Sequence, residues 1–388
     1  MDLVVASCRW PDDFGRQERV AAALGKVADW NKVAALASAH RVEGLVAQTL
    51  ASATNGLPDG IADYWIATAA RIRRGALEQT GELLRIAAAM ESGGIAYRFL
   101  KSIALGAAVY GTPTLKQSWD IDVLVSPDDA VRAAAALAEL GYASVKPPRP
   151  LTAAEFRRWS AVAKDAELQS PSGQVVELHW RLSDLPHLVA DIDVRTEARQ
   201  VDLIGGRSVA IFADAPNLAY LAVHGAAAGW SRLKWAADFG ALLNAGDPAA
   251  RENLIHAARG YRSGRALDQA LLLQRRLFWT DLSPQVEWDA TVERMVEAAL
   301  VAIQRRAPEA EIADDPIALD AVRRSRSLLM PGLRYRAALA LARMRGIDDR
   351  AAVPLPAGLH WAYWLIRPVT YGLRVTRRLI GRAASSRW

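Results

Sequence analysis

Cysteine and long apolar runs are scarce in this sequence of 388 residues. Cys8 is the single cysteine, so the chain cannot form an internal disulfide, and a reducing compartment suits this composition. No catalytic motif surrounds Cys8, which favours a structural thiol over a nucleophile. A run of about eighteen uncharged apolar residues, as a membrane-spanning helix needs, is also missing. The first residues contain an early acid and no cationic leader, so we expect a cytoplasmic protein without a secretion signal.

Hydrophobic residues are plentiful by contrast, at 52% of the chain against 23% charged residues. This balance is typical of a globular protein, and the length allows two or three domains, or one core with large helical extensions. The net charge is +6 and the isoelectric point is about 9.5. A basic chain favours anionic partners such as nucleotides, nucleic acid or acidic lipid, without selecting one of them.

The pattern of apolar residues divides the chain into three regions. Residues 1–92 have apolar positions three and four apart, which predicts helices, including a long one over about residues 61–90. Residues 93–215 alternate short apolar runs with turns and helices, which predicts a mixed α/β module. Residues 216–388 are helical again in pattern. We therefore predict an α+β fold in which a mixed-sheet core is flanked by N-terminal and C-terminal helical regions.

Individual elements follow from the same patterns. The strand predictions of the central region are 95–100, 121–125, 142–145, 166–169, 175–180, 199–203 and 208–212. Helices are predicted there over 103–110 and from Asp128 and Asp129 to Gly141, and later over 218–228, 233–243, 248–262, 266–277 and 286–306. An acidic, turn-like stretch at 308–316 precedes more helix, to about residue 344.

The sharpest motif is the segment WDIDVLV at residues 119–125. Residues two apart in a strand project from the same face, so Asp120 and Asp122 should point the same way while Ile121 and Val123 anchor the other face. Two carboxylates this close repel each other unless cations lie between them, and paired Mg²⁺ ions are the usual solution in phosphate chemistry. An Asp-x-Asp triplet also arises by chance, and the alternative is an edge strand with two solvated acids.

A strand that runs into a small residue and a helix lies upstream, at Phe99-Leu100-Lys101-Ser102. Such a junction offers free backbone N–H groups and a helix N-terminus to a triphosphate, and Lys101 would add a positive charge. A solvated lysine at a strand end is the alternative for Lys101.

Glu177 and His179 alternate with apolar residues downstream and should share one strand face. Glu177 is then a candidate third metal ligand from an adjacent strand. His179 could contact phosphate, pair with a carboxylate or act as an acid or base, and a hydrogen-bonded structural histidine is the alternative.

Taken together, these segments resemble the bacterial family of uncharacterised nucleotidyltransferases, within the DNA polymerase β-like nucleotidyltransferase superfamily. The resemblance rests on Lys101 with its small neighbour and helix, on Asp-Ile-Asp, and on VELHWRL at 176–182. It continues in LAYLAVHG at 218–225 and WSRLKWAADF at 230–239, and it covers about residues 90–245.

The resemblance implies transfer of a nucleoside monophosphate from a nucleoside triphosphate, with ATP as the expected donor, to an acceptor, with release of pyrophosphate. The acceptor would be a small molecule, a peptide or a protein. Asp120, Asp122 and Glu177 would hold Mg²⁺, or Mn²⁺, and would be the catalytic residues. The nucleotide-binding residues would be Lys101, Ser102, Lys116, His179, His224 and Asp238.

Three positions depart from the family pattern. The family has Lys-Gly where this chain has Lys101-Ser102, an arginine where it has Lys116, and often an aspartate where it has Glu177. These differences leave a second hypothesis open, in which the chain keeps the fold as a catalytically silent binding or regulatory module. A nucleic-acid enzyme is less favoured, because the sequence contains no recognisable RNA-binding module.

Two groups of residues have open interpretations. His224, Arg232, Lys234 and Asp238 fall on predicted helices, where they line the nucleotide pocket or form a buried polar network that joins helices. Trp230 and Trp235 are predicted to be packing residues. The aromatic and arginine-rich stretch at 360–382 is predicted to pack on the body of the protein, in preference to an acidic membrane surface.

Overall fold

The computed structural model describes residues 1–52, 57–185, 187–282, 289–306, 315–344, 355, 357–363 and 365–366. Five helices precede the sheet: α1 (Asp2–Cys8), α2 (Phe14–Leu24), α3 (Trp30–Ala39), α4 (Glu43–Ala51) and α5 (Ile61–Ser92). Aspartates begin two of them, because Asp13 accepts a hydrogen bond from the Arg16 amide at 2.8 Å and Asp29 accepts one from the Lys32 amide at 3.0 Å.

The central region forms one mixed sheet of seven strands among the described residues. The strands are β1 (Tyr97–Phe99), β2 (Asp120–Val125), β3 (Ala143–Lys146), β4 (Asp165–Gln169), β5 (Val175–His179), β6 (Ala198–Asp202) and β7 (Ser208–Phe212), in the order β3-β4-β5-β2-β1-β7-β6. The pairs β2–β5 and β1–β7 are parallel, and the other neighbours are antiparallel. Three helices lie between the strands along the chain: α6 (Ser102–Tyr110), α7 (Ala130–Glu139) and α8 (Ala153–Ser160).

The chain is helical again after β7. The helices are α9 (Asp214–Ala227), α10 (Leu233–Leu243), α11 (Pro248–Arg259), α12 (Arg265–Phe278), α13 (Ala290–Gln304), α14 (Pro316–Leu328) and α15 (Leu333–Met344). None of the helices within the described ranges is long and apolar enough to cross a membrane. The α+β class and the flanking helical regions are therefore confirmed.

The two faces of the sheet contribute to different hydrophobic cores. Ile121, Val123 and Val125 of β2 pack in one core with the C-terminal half of α5, with α7 and with Trp159 of α8. Leu124, on the opposite face, belongs to a second core that contains α1–α4 together with α9, α10, α12 and α13. The face of β2 that carries Asp120 and Asp122 is therefore the face turned towards the helices of both chain ends.

The boundaries of a few elements differ from the sequence predictions. The strand predicted over 95–100 is shorter, since the Ile95 amide donates at 2.8 Å to the Met90 carbonyl and so closes α5. The helix predicted over 218–228 begins earlier, at Asp214, because Pro216 falls in the first turn, where a proline is tolerated. Helix α8 was not predicted at all. Residues 307–314 and most of 360–382 lie outside the described residues.

Candidate active site

The acidic residues meet because β2 and β5 are parallel neighbours. Their register pairs Asp120 with Val175, Asp122 with Glu177 and Leu124 with His179. Asp122 and Glu177 therefore lie directly opposite each other, and His179 follows one pleat further along the same face. The sheet brings together four of the residues that the sequence singles out, and it does so through backbone pairing.

Asp122 is the centre of this group and is 1% exposed. Its Oδ1 atom lies 3.0 Å from the Lys101 ammonium and 3.0 Å from His179 Nε2. Burial disfavours the charged form, but Lys101 and His179 outweigh it and hold the pKa of Asp122 well below its usual range. Its Oδ2 atom is also buried and has no hydrogen-bond partner. A buried carboxylate oxygen without a partner needs a cation or a donor.

His179 bridges two pairs of charged groups. Its Nε2 atom lies 3.0 Å from Asp122 and 3.2 Å from Glu177, whereas Nδ1 lies 3.5 Å from Lys164 and 3.7 Å from Asp165. Lys164 and Asp165 form an ion pair with each other. Burial and Lys164 oppose protonation, but the bonds to Asp122 and Glu177 prevail and raise the pKa of His179. Of the roles considered for His179, pairing with carboxylates is the one that this geometry shows.

Asp120 occupies the start of β2 and is less buried than Asp122. The Ser118 hydroxyl donates a hydrogen bond to its Oδ1 atom at 3.2 Å. Burial and repulsion from Asp122 raise the pKa of Asp120.

These residues fit a divalent metal ion. One ligand atom each from Asp122, Glu177 and His179 lies within 4.8 Å of the others. The unpartnered Asp122 Oδ2 atom leaves room for a cation beside this group. Two of the three predicted ligands, Asp122 and Glu177, belong to this group, and it adds His179, whereas Asp120 lies beside it.

Lys101 lies between β1 and α6, next to the carboxylates. It is the residue before α6, which begins at Ser102. Burial disfavours the ammonium ion, but Asp122 and nearby Tyr220 keep the pKa of Lys101 well above its usual value. The junction thus places a permanent positive charge and the first turn of a helix at the edge of the acidic group.

A cavity of about 330 Å³ opens above these residues. It contains carboxylates from the sheet, from the segment after β5 and from α10, and a larger number of basic side chains. The basic side chains are Arg41, Lys101, Lys116, Lys164, Arg232, Lys234 and Arg326, and the acidic ones are Asp120, Asp122, Glu177, Asp184 and Asp238. The excess of basic groups suits a strongly anionic ligand, because low-dielectric walls strengthen its attraction to them.

Lys116 and Asp238 were expected beside the nucleotide, and both line the cavity. They are also bonded to each other in a buried ion pair, and the Tyr110 hydroxyl donates to Asp238 at 3.1 Å. Their charges therefore largely offset each other. Asp238 also fulfils the alternative expectation, since this pair and Tyr110 form a polar network that joins α6, the loop after it and α10.

His224 and Lys234 line the cavity from α9 and α10. The His224 ring lies 5.9 Å from Tyr220 and 5.8 Å from Trp235, measured between ring centroids. Burial, followed by repulsion from Lys101, puts the pKa of His224 well below its usual value, so the ring is neutral. Burial and the charge of Arg41 lower the pKa of Lys234 to about 7. Trp230 is fully buried, as predicted, whereas Trp235 is partly exposed to the cavity.

Sequence reasoning missed several residues of the cavity. Arg41 comes from the turn between α3 and α4, has a backbone φ of 55°, and lies over the exposed Trp119 ring at 5.2 Å. Lys164 precedes β4, and Tyr220 lies on α9 beside Lys101. The Lys164-Asp165 pair at a strand start was the one local signal, whereas Arg41 reaches the site only through tertiary packing.

An acidic group on adjacent strands beside a lysine-bearing helix start is an arrangement that suits phosphate compounds. The comparison with protein families gives the class. A family model described as uncharacterised nucleotidyltransferase matches residues 26–279. The chain belongs to this family and is a transferase whose substrate is a nucleoside triphosphate. The match includes helices α3–α5 before the sheet and α9–α12 after it, so the helices that line the cavity belong to the family's unit, except α14 with Arg326. A comparison with curated proteins gives no match.

Proposed function

We propose that the protein transfers a nucleoside monophosphate, AMP from ATP, to a small molecule, a peptide or a protein and releases pyrophosphate. The observation that carries this proposal is the pairing of Asp122 with Glu177 across β2 and β5, with the buried Asp122 Oδ2 atom left without a partner. The donor and acceptor chemistry goes beyond what the family match alone establishes.

Asp120, Asp122 and Glu177 would hold Mg²⁺, or Mn²⁺, with the nitrogen of His179 next to them. Ions held there would supply charge neutralisation for the triphosphate and activation of the attacking group. Lys101 and the first turn of α6 at Ser102 bind the phosphate chain, and Lys116, His224 and Asp238 surround the nucleotide.

The reaction forms one bond and breaks one bond at the α-phosphorus. An oxygen or nitrogen atom of the acceptor attacks this phosphorus, and the bond to pyrophosphate breaks. The acceptor's proton leaves to a carboxylate of the site. His179 holds Asp122 and Glu177 in a fixed orientation throughout, because its Nε2 atom is within hydrogen-bond distance of both.

The test is pyrophosphate release and self-labelling by the purified protein with ATP and either Mg²⁺ or Mn²⁺. We expect the variant Asp120→Asn/Asp122→Asn to lose both signals while it keeps its fold. Its matched control is Asp59→Asn/Asp63→Asn, which removes two exposed aspartates at the start of α5 and should keep full activity.

Two results would contradict the proposal. One is activity in Asp120→Asn/Asp122→Asn equal to that of the wild type. The other is a wild-type protein that binds ATP with neither metal. ATP binding without turnover in the presence of many acceptors would favour the alternative, a catalytically silent nucleotide-binding module.

A further inference from the structure

The opposite face of the sheet, turned away from the acidic group, borders another cavity of about 170 Å³. Leu168 and Leu178 of the sheet form its floor, and α7, α8 and the segment before α8 form its sides. Helix α7 leaves this space because the residues that it turns towards the cavity are short: Ala130, Val131, Ala134, Ala135 and Ala138. The rest of the wall is largely aromatic, with the rings of Tyr142, Phe156, Trp159 and Trp180.

The polar atoms of these aromatic rings are bonded to the protein. Trp159 Nε1 donates a hydrogen bond to the Asp165 carbonyl at 3.2 Å, and Trp180 Nε1 donates one to the Ala163 carbonyl at 2.9 Å. The Tyr142 hydroxyl donates to a carboxylate of α5 at 2.5 Å. The rings therefore offer apolar surface to the cavity, and a ligand inside it needs no hydrogen-bonding groups.

The cavity reaches the protein surface between α7 and the segment before α8, where the lining residues Ala138 and Pro150 are exposed. Arg149 stands at this entrance and is the one charged side chain among the described residues that line the cavity. Its guanidinium group binds both carboxylate oxygens of Glu155, at 2.5 and 3.1 Å. Because Glu155 offsets this charge, the cavity favours an uncharged ligand over an aromatic carboxylate.

The volume and the walls of the cavity together define the size and kind of its ligand. An apolar cavity of about 150 Å³ in a protein interior stays dry and takes up benzene. Phe156 and Trp180 already meet edge to face, with 4.9 Å between their ring centroids. A further ring can extend this edge-to-face packing, which rewards aromatic ligands beyond the area that they bury.

We propose that this cavity is a binding site for a small uncharged aromatic molecule of the size of toluene or indole. The bound ring packs on Leu178, which lies between Glu177 and His179 on β5. Successive residues of a strand face opposite sides of the sheet, so the site lies directly behind the acidic group without contacting it. The inference is therefore independent of the proposed function.

The test uses toluene, indole and benzoate as probes and the full-length protein with isotope-labelled leucine and valine methyl groups. An aromatic ring shifts the NMR resonances of methyl groups close to it. Toluene and indole should therefore shift the methyl resonances of Val131, Leu168 and Leu178 in a saturable manner, with a Kd of about 1 mM or lower. Benzoate should bind at least about tenfold more weakly, because a carboxylate loses its hydration in an apolar cavity.

Two variants narrow the cavity. Ala134→Leu places a larger side chain inside it and should weaken the binding of toluene and indole by about tenfold or more. Its melting temperature should equal or exceed that of the wild type, because the new side chain fills a void. Ala138→Leu narrows the entrance from an exposed position, where the fold tolerates it, and should weaken both probes as well. The matched control Ala249→Leu, at an exposed site on α11, should leave all affinities unchanged.

Three results would overturn the proposal. One is the absence of saturable methyl shifts with toluene and indole up to the limit of their solubility. Another is an affinity for both probes that neither Ala134→Leu nor Ala138→Leu reduces, or shifts confined to methyl groups away from the cavity. The third is benzoate bound as tightly as toluene, which would contradict the uncharged character of the site.

Discussion

The ion pair between Lys101 and Asp122 allows a quantitative test of the site without any substrate. Its two atoms are 3.0 Å apart, and the side chains are 18% and 1% exposed. At that distance the attraction is about 5.5 kcal/mol for an effective dielectric constant of about 20. Removal of one partner from a buried pair costs about 3–5 kcal/mol, because the other charge is left buried.

We therefore expect Lys101→Met to lower the free energy of unfolding by about 3 kcal/mol, the lower end of that range because His179 still contacts Asp122. In the background of Asp122→Asn, the same substitution should cost about 2 kcal/mol less. Denaturant unfolding near neutral pH, with a chelator to exclude metal, measures all four proteins of this double-mutant cycle. The free energies of unfolding give the coupling between the two residues directly.

A matched cycle on the exposed pair Arg324–Asp320, whose side chains are 62% and 56% exposed, should give at most about 1 kcal/mol. Additive effects of Lys101→Met and Asp122→Asn would refute the reasoning, because they would show that the buried pair is not coupled. The pH dependence gives a second check. The pKa of Asp122 is lowered, so the coupling should be present above about pH 4 and be lost as the pH falls below that value.

Two further substitutions test the surroundings of the cavity. Burial lowers the pKa of Lys234 to about 7, so the folded protein is destabilised by its charged form. Lys234→Met should therefore raise the melting temperature most at about pH 6, and the gain should shrink as the pH rises from about 7 towards the unfolded pKa of about 10.4, whereas the exposed Lys32→Met should show no such trend. A Cβ atom at Gly44 would lie 2.2 Å from the Leu115 carbonyl oxygen. Gly44→Ala should lower the free energy of unfolding by about 1–3 kcal/mol and weaken ATP binding, because it shifts the loop after α6. Gly25→Ala, whose Cβ atom would meet nothing within 4 Å, should do neither. Equal effects of the two glycine substitutions would contradict this prediction.

The strands were predictable because each one alternates between two environments. In β2 and β5 one core buries four apolar residues: Ile121, Val123, Val176 and Leu178. Apolar residues therefore recur at every second position of these strands in the sequence. The boundary at β1 was not predictable from this pattern, since residue 95 is apolar but is engaged in closing α5. This bond is part of a local cap, in which Gly94 has a φ of 60° and its amide donates to the Glu91 carbonyl, so the glycine and not the apolar pattern marks the boundary.

Helix α8 was missed although its start carries a local signal. Thr152 accepts from the Glu155 amide while the Glu155 carboxylate accepts from the Thr152 amide, which is a capping box. The helix has only eight residues and contains Phe156, Arg157 and Arg158 in sequence, so its apolar periodicity is short. Here the cap was a better indicator than the periodicity.

The site was predictable only where its residues are close together in the sequence. A shared strand face follows from spacing, and Glu177 was placed on an adjacent strand, but the pairing of Asp122 with Glu177 depends on the register of two strands far apart in sequence. The presence of the Arg41 side chain in the cavity depends on how the helices pack, and so does the ion pair between Lys116 and Asp238. The division of the chain at 92/93 and 215/216 stays a prediction, as do the catalytic roles of the residues.

The hydrophobic core shared by the two ends of the chain has a consequence for protein synthesis. Helix α1 lies against α10 and α12, which begin at Leu233 and Arg265. At about 5–20 residues per second, the ribosome needs roughly ten to fifty seconds to make the intervening chain. Until then Leu3 and Val4 can pack only against α2–α4, and the surface of α1 that meets α10 and α12 stays open. Nascent chains that stall before α10 should therefore be prone to aggregation and be rapidly degraded.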